Sequence, residues 1–181
     1  MKKIVFTFAA IALFLTANAQ DKRVETWPNG NKKSEGVVIG KSVDATAAKE
    51  IQARQSVNVI KDGKWTNWFE NGTVRTEEYY SNGIMIGTWK VWYDNGQLES
   101  EINFTIGKAA HFHKNGKKHS EGGIATGMVN TGTWTGYHEN GNKNFEGIYD
   151  NNGQKDGVWT WYDETGKVTT TQTYQNGELV K

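Results

Sequence analysis

The sequence contains no cysteine and only one proline among its 181 residues. Without cysteine, the chain has no disulfide framework, no metal–thiolate site and no cysteine that could carry a lipid anchor. The scarcity of proline and the presence of eight tryptophans argue against a disordered chain, because aromatic side chains supply apolar area that such a chain lacks. Glycine is abundant, with 21 residues, and often follows asparagine, which indicates many tight turns.

The sequence signatures of several functions are also missing. No serine lies in a Gly-x-Ser-x-Gly motif, and the glycine pair Gly122-Gly123 leads into no predicted helix and has no following lysine that would mark a phosphate loop. The charge is nearly balanced, since without Lys2 and Lys3 the chain has 19 basic and 20 acidic side chains. We therefore expect no catalysis, no cofactor and no nucleic acid partner.

Residues 1–19 have the pattern of a secretory signal peptide. A basic start, Met1-Lys2-Lys3, precedes an apolar stretch over residues 4–16, and Ala17-Asn18-Ala19 is a typical cleavage site. The alternative, an uncleaved membrane anchor, needs roughly 20 apolar residues, which this stretch does not reach. We predict cleavage after Ala19, export to the periplasm or beyond, and a mature domain over 20–181 without a membrane-spanning segment.

The rest of the chain repeats one short pattern, an aromatic segment, a turn glycine and a second segment containing glutamate. The turn glycines are Gly30, Gly72, Gly96, Gly116, Gly141 and Gly166, and the last five recur about every 20–25 residues. Counting from this glycine, position −7 holds Trp65, Trp89, Ala109, Trp134 and Trp159. Position −4 holds Trp68, Trp92, Phe112, Tyr137 and Tyr162. Position +5 holds Glu35, Glu77, Glu101, Glu121 and Glu146, and Thr171 in the last repeat.

Each repeat is predicted to form a β-hairpin, because an aromatic strand runs into Asn-Gly, the typical pair of a two-residue type I′ turn. Successive hairpins give an all-β fold, an elongated single antiparallel sheet of stacked units. We expect a degenerate first unit at 23–38 and main repeats at 63–181. Between them lies an insert at 37–62, where residues 44–55 favour a short helix or ordered loop and residues 56–60 a strand.

The consensus Gly-x-Trp-x-x-Trp-Tyr-x-Asn-Gly, followed by Glu, resembles the MORN-repeat variant of bacterial hairpin-repeat proteins. The resemblance covers residues 63–181 well and residues 23–38 poorly. It implies an elongated antiparallel sheet that serves in binding or scaffolding. Some members of that family carry an antitoxin label, and others are called membrane-binding by analogy with eukaryotic MORN proteins.

A two-residue turn fixes which side chains share a face of the sheet. The expected pairs across one hairpin are Trp89–Ile102, Val91–Ser100 and Tyr93–Leu98, and they define a mostly apolar first face. The second face carries the candidate binding residues Trp68, Trp92, Phe112, Tyr137, Tyr162, Glu77, Glu101, Glu121 and Glu146. These residues either form a surface on which sugar rings or a peptide stack, or they only shield the sheet, with Glu101 paired to Lys90 across the strands.

The histidines are a weaker candidate for a site. His111 and His113 alternate along one strand and share a face, whereas a two-residue turn pairs His119 with Phe112 and directs it to the other face. His138 takes the same repeat position as His113, which holds aromatic residues in other units. We therefore predict no metal site.

The sequence as a whole predicts an exported, non-catalytic binding or scaffolding module that uses one face of its sheet. A protein is the expected partner. The alternatives are a glycan-binding module of the cell envelope and a periplasmic protein that neutralises a toxin.

Overall fold

The computed structural model describes residues 19–40 and 60–180, and these residues form one antiparallel sheet of 14 strands. Neighbouring strands follow the order of the sequence, except that the two-residue strand β5 pairs only with β4. The strands are β1 (Ala19–Thr26), β2 (Lys32–Gly40), β3 (Ile60–Trp68), β4 (Val74–Ser81), β5 (Ile84–Met85), β6 (Thr88–Trp92), β7 (Leu98–Asn103), β8 (Lys108–Phe112), β9 (Lys118–Ala125), β10 (Val129–Tyr137), β11 (Lys143–Tyr149), β12 (Lys155–Tyr162), β13 (Val168–Gln175) and β14 (Glu178–Leu179).

This arrangement confirms the predicted fold class, an all-β sheet of stacked hairpins. The part of the chain that the structure describes contains no helix. The short helix or ordered loop predicted at 44–55 and residues 1–18 of the predicted signal peptide lie outside the described residues. Of the strand predicted at 56–60, only Ile60 is described, and β3 begins there.

The prediction of a two-residue type I′ turn at each turn glycine is wrong. In the β6–β7 hairpin, the amide of Gly96 donates to the carbonyl of Tyr93 at 3.0 Å, and the amide of Tyr93 donates to the carbonyl of Gln97 at 2.9 Å. Gly96 has a φ of 83°, whereas Asn95 is not among the residues with positive φ. The turn is therefore a three-residue loop that ends in a left-handed glycine.

The longer loop adds a β-bulge to the returning strand. Val91 still pairs with Ser100 as predicted, but Trp92 pairs with Leu98, so that Glu99 is the extra residue. The predicted pair Tyr93–Leu98 is wrong, and Leu98 lies opposite Trp92 on the second face. The same shift recurs at the other five turn glycines, where it changes the face of the residue two positions after the glycine.

The first face holds most of the buried side chains, as predicted. Trp65, Trp134 and Trp159 are 8%, 4% and 2% exposed, and Ala109, which replaces tryptophan in its unit, is 5% exposed. The indole nitrogen of Trp159 donates to the carbonyl of Ile148 in the preceding unit at 3.0 Å, and the other tryptophans at position −7 make the same bond. Each tryptophan therefore connects its own hairpin to the one before it.

Candidate binding surface

The strand register brings the four predicted glutamates into a single row across the second face. Along this row, which we call the glutamate row, the directly paired residues are Thr66, Glu77, Lys90, Glu101, Ala110, Glu121, Thr135, Glu146 and Thr160. Successive glutamates stand two strands apart, which corresponds to about 10 Å. The regular spacing predicted from the sequence is thus a property of the folded sheet.

Every glutamate of the row is held by a lysine. Lys64 pairs with Glu77 at 2.6 Å, and Lys90 pairs with Glu101 at 3.2 Å, which confirms the cross-strand pair suggested by the sequence. The other two pairs are Lys118–Glu121 and Lys143–Glu146, both at 2.7 Å. The row is therefore a strip of alternating charge rather than a bare acidic stripe. Because exposed ion pairs contribute only about 0.2–1 kcal/mol each, a partner can displace them at low cost.

Sequence reasoning missed the lysines that follow the turn. Lys118 precedes Glu121 by three residues, a separation that would put them on opposite faces of a regular strand. The bulge places Lys118 opposite Phe112, on the same face as Glu121, and Lys143 reaches Glu146 in the same way. A signal was present in the sequence, because lysine stands two residues after the turn glycine in three of the units.

Two of the five predicted aromatic residues bind the glutamate row through their hydroxyl groups. Tyr137 donates to Glu121 at 2.9 Å, and Tyr162 donates to Glu146. The ammonium of Lys118 and, to a smaller extent, the Tyr137 hydroxyl hold the pKa of Glu121 below its ordinary value. Both carboxylates are therefore ionised and already hydrogen-bonded at neutral pH.

The aromatic residues at position −4 are neither buried nor fully exposed. All five side chains, those of Trp68, Trp92, Phe112, Tyr137 and Tyr162, are half-buried. Lysine side chains cover part of two of these rings, with Lys32 Nζ at 5.5 Å from the Trp68 ring and Lys143 Nζ at 5.4 Å from the Tyr162 ring. The second face thus combines partly exposed aromatic area with paired charges.

The row is interrupted at Ala110, where the small side chain leaves a recess of about 390 Å³. Two of the predicted residues, Glu101 and Glu121, stand on either side of it, and Lys108 and Thr135 are among its other lining residues. The recess belongs to the hairpin β8–β9, which also lacks the tryptophan of the other main units. The recess brings two of the predicted carboxylates to its walls.

The prediction that His119 faces away from His113 is wrong. The two rings lie in edge contact with their centroids 4.7 Å apart, because the bulge pairs Phe112 with Lys118 and leaves His119 free to turn toward the first face. Burial and, second, the charge of His113 lower the pKa of His119. The His119 ring is therefore largely neutral at pH 7, on the side of the sheet that holds the core.

His113 and His138 have a structural role that their repeat position explains. The Nε2 of each donates to a backbone carbonyl in the next unit at 2.9 Å, His113 to Tyr137 and His138 to Tyr162. The Tyr93 hydroxyl makes the equivalent bond to Phe112 at 2.8 Å. Within 19–40 and 60–180, no three histidine, aspartate or glutamate side chains are grouped so that they could hold a metal ion.

Comparison with known proteins gave one family match. The family model described as MORN repeat variant matches residues 61–83, 85–105, 130–151 and 155–176. The interval between the second and third matches contains β8 and β9, which form the same kind of hairpin and carry the recess at Ala110. No curated protein was found to match the chain. Over the described ranges, no helix has the length and apolar character needed to cross a membrane.

Proposed function

Because the chain belongs to the MORN repeat variant family, a family of non-catalytic binding repeats, we propose that it is an exported module that binds a protein along its second face. The observation that supports this proposal most strongly is the glutamate row with its neighbouring half-buried aromatic rings. Export is proposed from the signal-peptide pattern of residues 1–19. A toxin met in the periplasm would be one such partner.

The chemistry of the second face suits a protein partner in two ways. Aromatic side chains such as Trp68 and Trp92 provide large contact areas at little cost in conformational entropy, and they dominate the energetics of many interfaces. The lysine and glutamate side chains beside them offer hydrogen-bond donors and acceptors at a spacing of about 10 Å, so that an extended partner could form polar contacts at each repeat. Ion pairs of this kind contribute specificity more than affinity.

Binding of a glycan is the second candidate, and the recess at Ala110 favours it. A volume of about 390 Å³ accommodates a sugar ring, and carboxylates with threonine hydroxyls are suitable partners for sugar hydroxyls. Glu101 and Glu121 would accept hydrogen bonds from two sides of the ring. This binding would use the same face but a single unit of the array.

The experiment uses the mature chain, residues 20–181, immobilised and exposed to an envelope extract. Trp68→Ala and Trp92→Ala should each reduce the amount of captured protein by about tenfold or more, as expected for central interface residues. Ile84→Ala truncates a side chain that is 68% exposed and lies away from the glutamate row, and it serves as the matched control. Circular dichroism checks that each variant is folded.

Two results would contradict the proposal of a protein partner. In one, the folded tryptophan variants retain the captured protein, so that the second face is not the interface. In the other, both variants unfold, which makes the aromatic row part of the core. Retention of the chain on peptidoglycan or a polysaccharide resin, abolished when Ala110→Trp fills the recess, would instead favour the glycan.

A further inference from the structure

Three aromatic rings surround one ammonium group on the first face of the last hairpin. The Nζ of Lys155 lies 4.5 Å from the ring centroid of Trp159, 4.9 Å from that of Trp161 and 4.8 Å from that of Tyr174. All three distances are within the range of a cation–π interaction. We call this group of three rings the aromatic cage. It lies on the face opposite to the glutamate row and is separate from the proposed protein interface.

The sequence of β12 accounts for the cage. Lys155, Trp159 and Trp161 stand an even number of residues apart on β12 and therefore share a face, and Gly157 between them pairs with Tyr174 on β13. Trp159 is fixed, because it is 2% exposed and donates its indole proton to the preceding unit. The hydroxyl of Tyr174 donates to the side chain of Gln172 at 2.8 Å, and this hydrogen bond holds the Tyr174 ring in place. The cage is thus formed by rings that the fold has already positioned.

Lys155 differs in one respect from its counterpart in an earlier unit. Lys61 occupies the same repeat position, eleven residues before its turn glycine, and lies 4.7 Å from Trp65 and 4.9 Å from Tyr80. Its Nζ also forms an ion pair with Glu78 at 2.9 Å. The last unit has Gln172 at the position of Glu78. Among the residues described, no carboxylate lies within ion-pair distance of Lys155 Nζ, so its ammonium is held by the rings.

An ammonium held only by rings is open to competition from a better-suited cation. The lysine ammonium is compact and strongly hydrated, and its four-carbon stem lets it leave the cage for water. A quaternary ammonium group has no N–H to hydrate, and a set of aromatic faces is the arrangement that recognises it. The carboxylate that would retain a primary ammonium, as Glu78 retains Lys61, is replaced here by a neutral amide.

We propose that Trp159, Trp161 and Tyr174 form a binding site for quaternary ammonium groups of the choline type, which displace Lys155. Lys155 acts as an internal competitor that fills the cage while no ligand is bound. The trimethylammonium group is the recognised feature, whether it belongs to a free small molecule or to a lipid headgroup.

The test is a titration of the mature chain with choline chloride and with tetramethylammonium chloride, against sodium chloride at equal ionic strength. Tryptophan fluorescence and the NMR signal of the Lys155 side chain report on the cage. We expect a saturable change with both quaternary salts. Lys155→Met removes the competitor and should lower the Kd by about tenfold, whereas Trp161→Ala should abolish the response. Lys61→Met is the matched control and should leave the response unchanged.

The outcomes separate clearly. The proposal is overturned if Lys155→Met gives no saturable response beyond that of sodium chloride, or if Lys61→Met and Lys155→Met have the same effect. Should Trp161→Ala unfold, Trp161→Leu takes its place, and an unchanged Kd in that folded variant also overturns the proposal. Vesicles of phosphatidylcholine, compared with phosphatidylglycerol, identify a lipid source. Binding to these vesicles without binding of soluble choline would contradict the cage, because the cage contacts only the ammonium group.

Discussion

Replacing Gly147 with alanine would put a methyl group where the ring of Trp159 already lies. A Cβ on Gly147 would stand 2.6 Å from Trp159 Cγ, and closer still to two other atoms of the ring. Ordinary contact between carbon atoms needs about 3.5–4.0 Å, so the ring would have to move by about 1 Å or more. The ring has little room, since Trp159 is 2% exposed and packs edge-on against Tyr149 with the centroids 4.9 Å apart.

The expected cost has two parts. Overpacking of a filled core typically costs about 1–3 kcal/mol. Moving the ring also weakens the hydrogen bond from Trp159 to the carbonyl of Ile148, which is worth about 1 kcal/mol. We therefore expect Gly147→Ala to lower the free energy of unfolding by about 3 kcal/mol. At roughly 2–4 °C per kcal/mol for a chain of this size, the Tm should fall by about 6–12 °C.

Gly166→Ala is the matched control for this prediction. Gly166 has a φ of 88°, which alanine adopts only with strain, but no atom lies within 4 Å of its Cβ position. The strain should cost about 1–2 kcal/mol. Thermal and urea unfolding, followed by circular dichroism, compare the two variants. If Gly147→Ala costs no more than Gly166→Ala, tryptophan rings do not rest on the backbone of the preceding hairpin, and the account of the first face is wrong.

Three further predictions concern the turns, a histidine and the glutamate row. Asn140→Ala should lower the free energy of unfolding by about 1–2 kcal/mol, because it removes a bond within its turn and another to the next turn. Asn95→Ala, where the described residues show only the bond within the turn, should cost about half as much in the same urea titration. Burial, and second the charge of the neighbouring His119, lower the pKa of His111. The contribution of the neutral His111 ring to the free energy of unfolding is therefore complete above pH 6.5, the ordinary pKa of histidine, and is lost as the pH falls below that value. His111→Gln should reduce the difference between urea midpoints at pH 7.5 and 5.5, and an unchanged difference would refute this assignment. Lys143→Met should raise the pKa of Glu146 toward its ordinary value in an NMR titration, because the Lys143 ammonium is the main cause of the lowered pKa.

The fold could be predicted from the sequence because the same hairpin pattern recurs in several units. The tryptophan of most units, the turn glycine and the glutamate that follows it in all but the last unit recur with a period that indicates stacked units, and the Asn-Gly turns between aromatic strands make these units hairpins. The turn type could not be predicted from Asn-Gly alone, because this pair suits both loops. Asn82-Gly83 does form the two-residue turn, with φ values of 48° and 78°, whereas Asn95-Gly96 belongs to the three-residue loop.

The error at the turn spread to the candidate site. A bulge of one residue reverses the face of the position before it, so a two-residue turn predicts the wrong face for Leu98 and does not reveal Lys118 as part of the glutamate row. Beyond the bulge the strands pair as a two-residue turn predicts, so Glu101 and Glu121 lie on the predicted face of the sheet. The recess at Ala110 follows from the loss of large side chains in one unit, and its shape depends on neighbours that the repeat pattern does not identify.

The first face is proposed to hold the core and the second face to bind a partner, and this difference is tested most directly on β6. Two tryptophans stand there three residues apart on opposite faces of the sheet. Trp89 donates its indole proton to the carbonyl of Tyr79 at 3.1 Å and packs on Tyr80 and Phe104, whereas Trp92 lies beside the glutamate row. The measurement is the urea unfolding midpoint of Trp89→Ala and Trp92→Ala.

The account predicts that Trp89→Ala lowers the free energy of unfolding by about 3 kcal/mol or more, because it removes the hydrogen bond to Tyr79 and the ring contacts with Tyr80 and Phe104. Trp92→Ala should cost about 1 kcal/mol and leave the chain folded, because among the described residues the half-buried Trp92 ring makes no side-chain hydrogen bond and no aromatic contact of the kind that holds Trp89. Equal losses in the two variants would contradict the central claim, since Trp92 would then be as structural as Trp89.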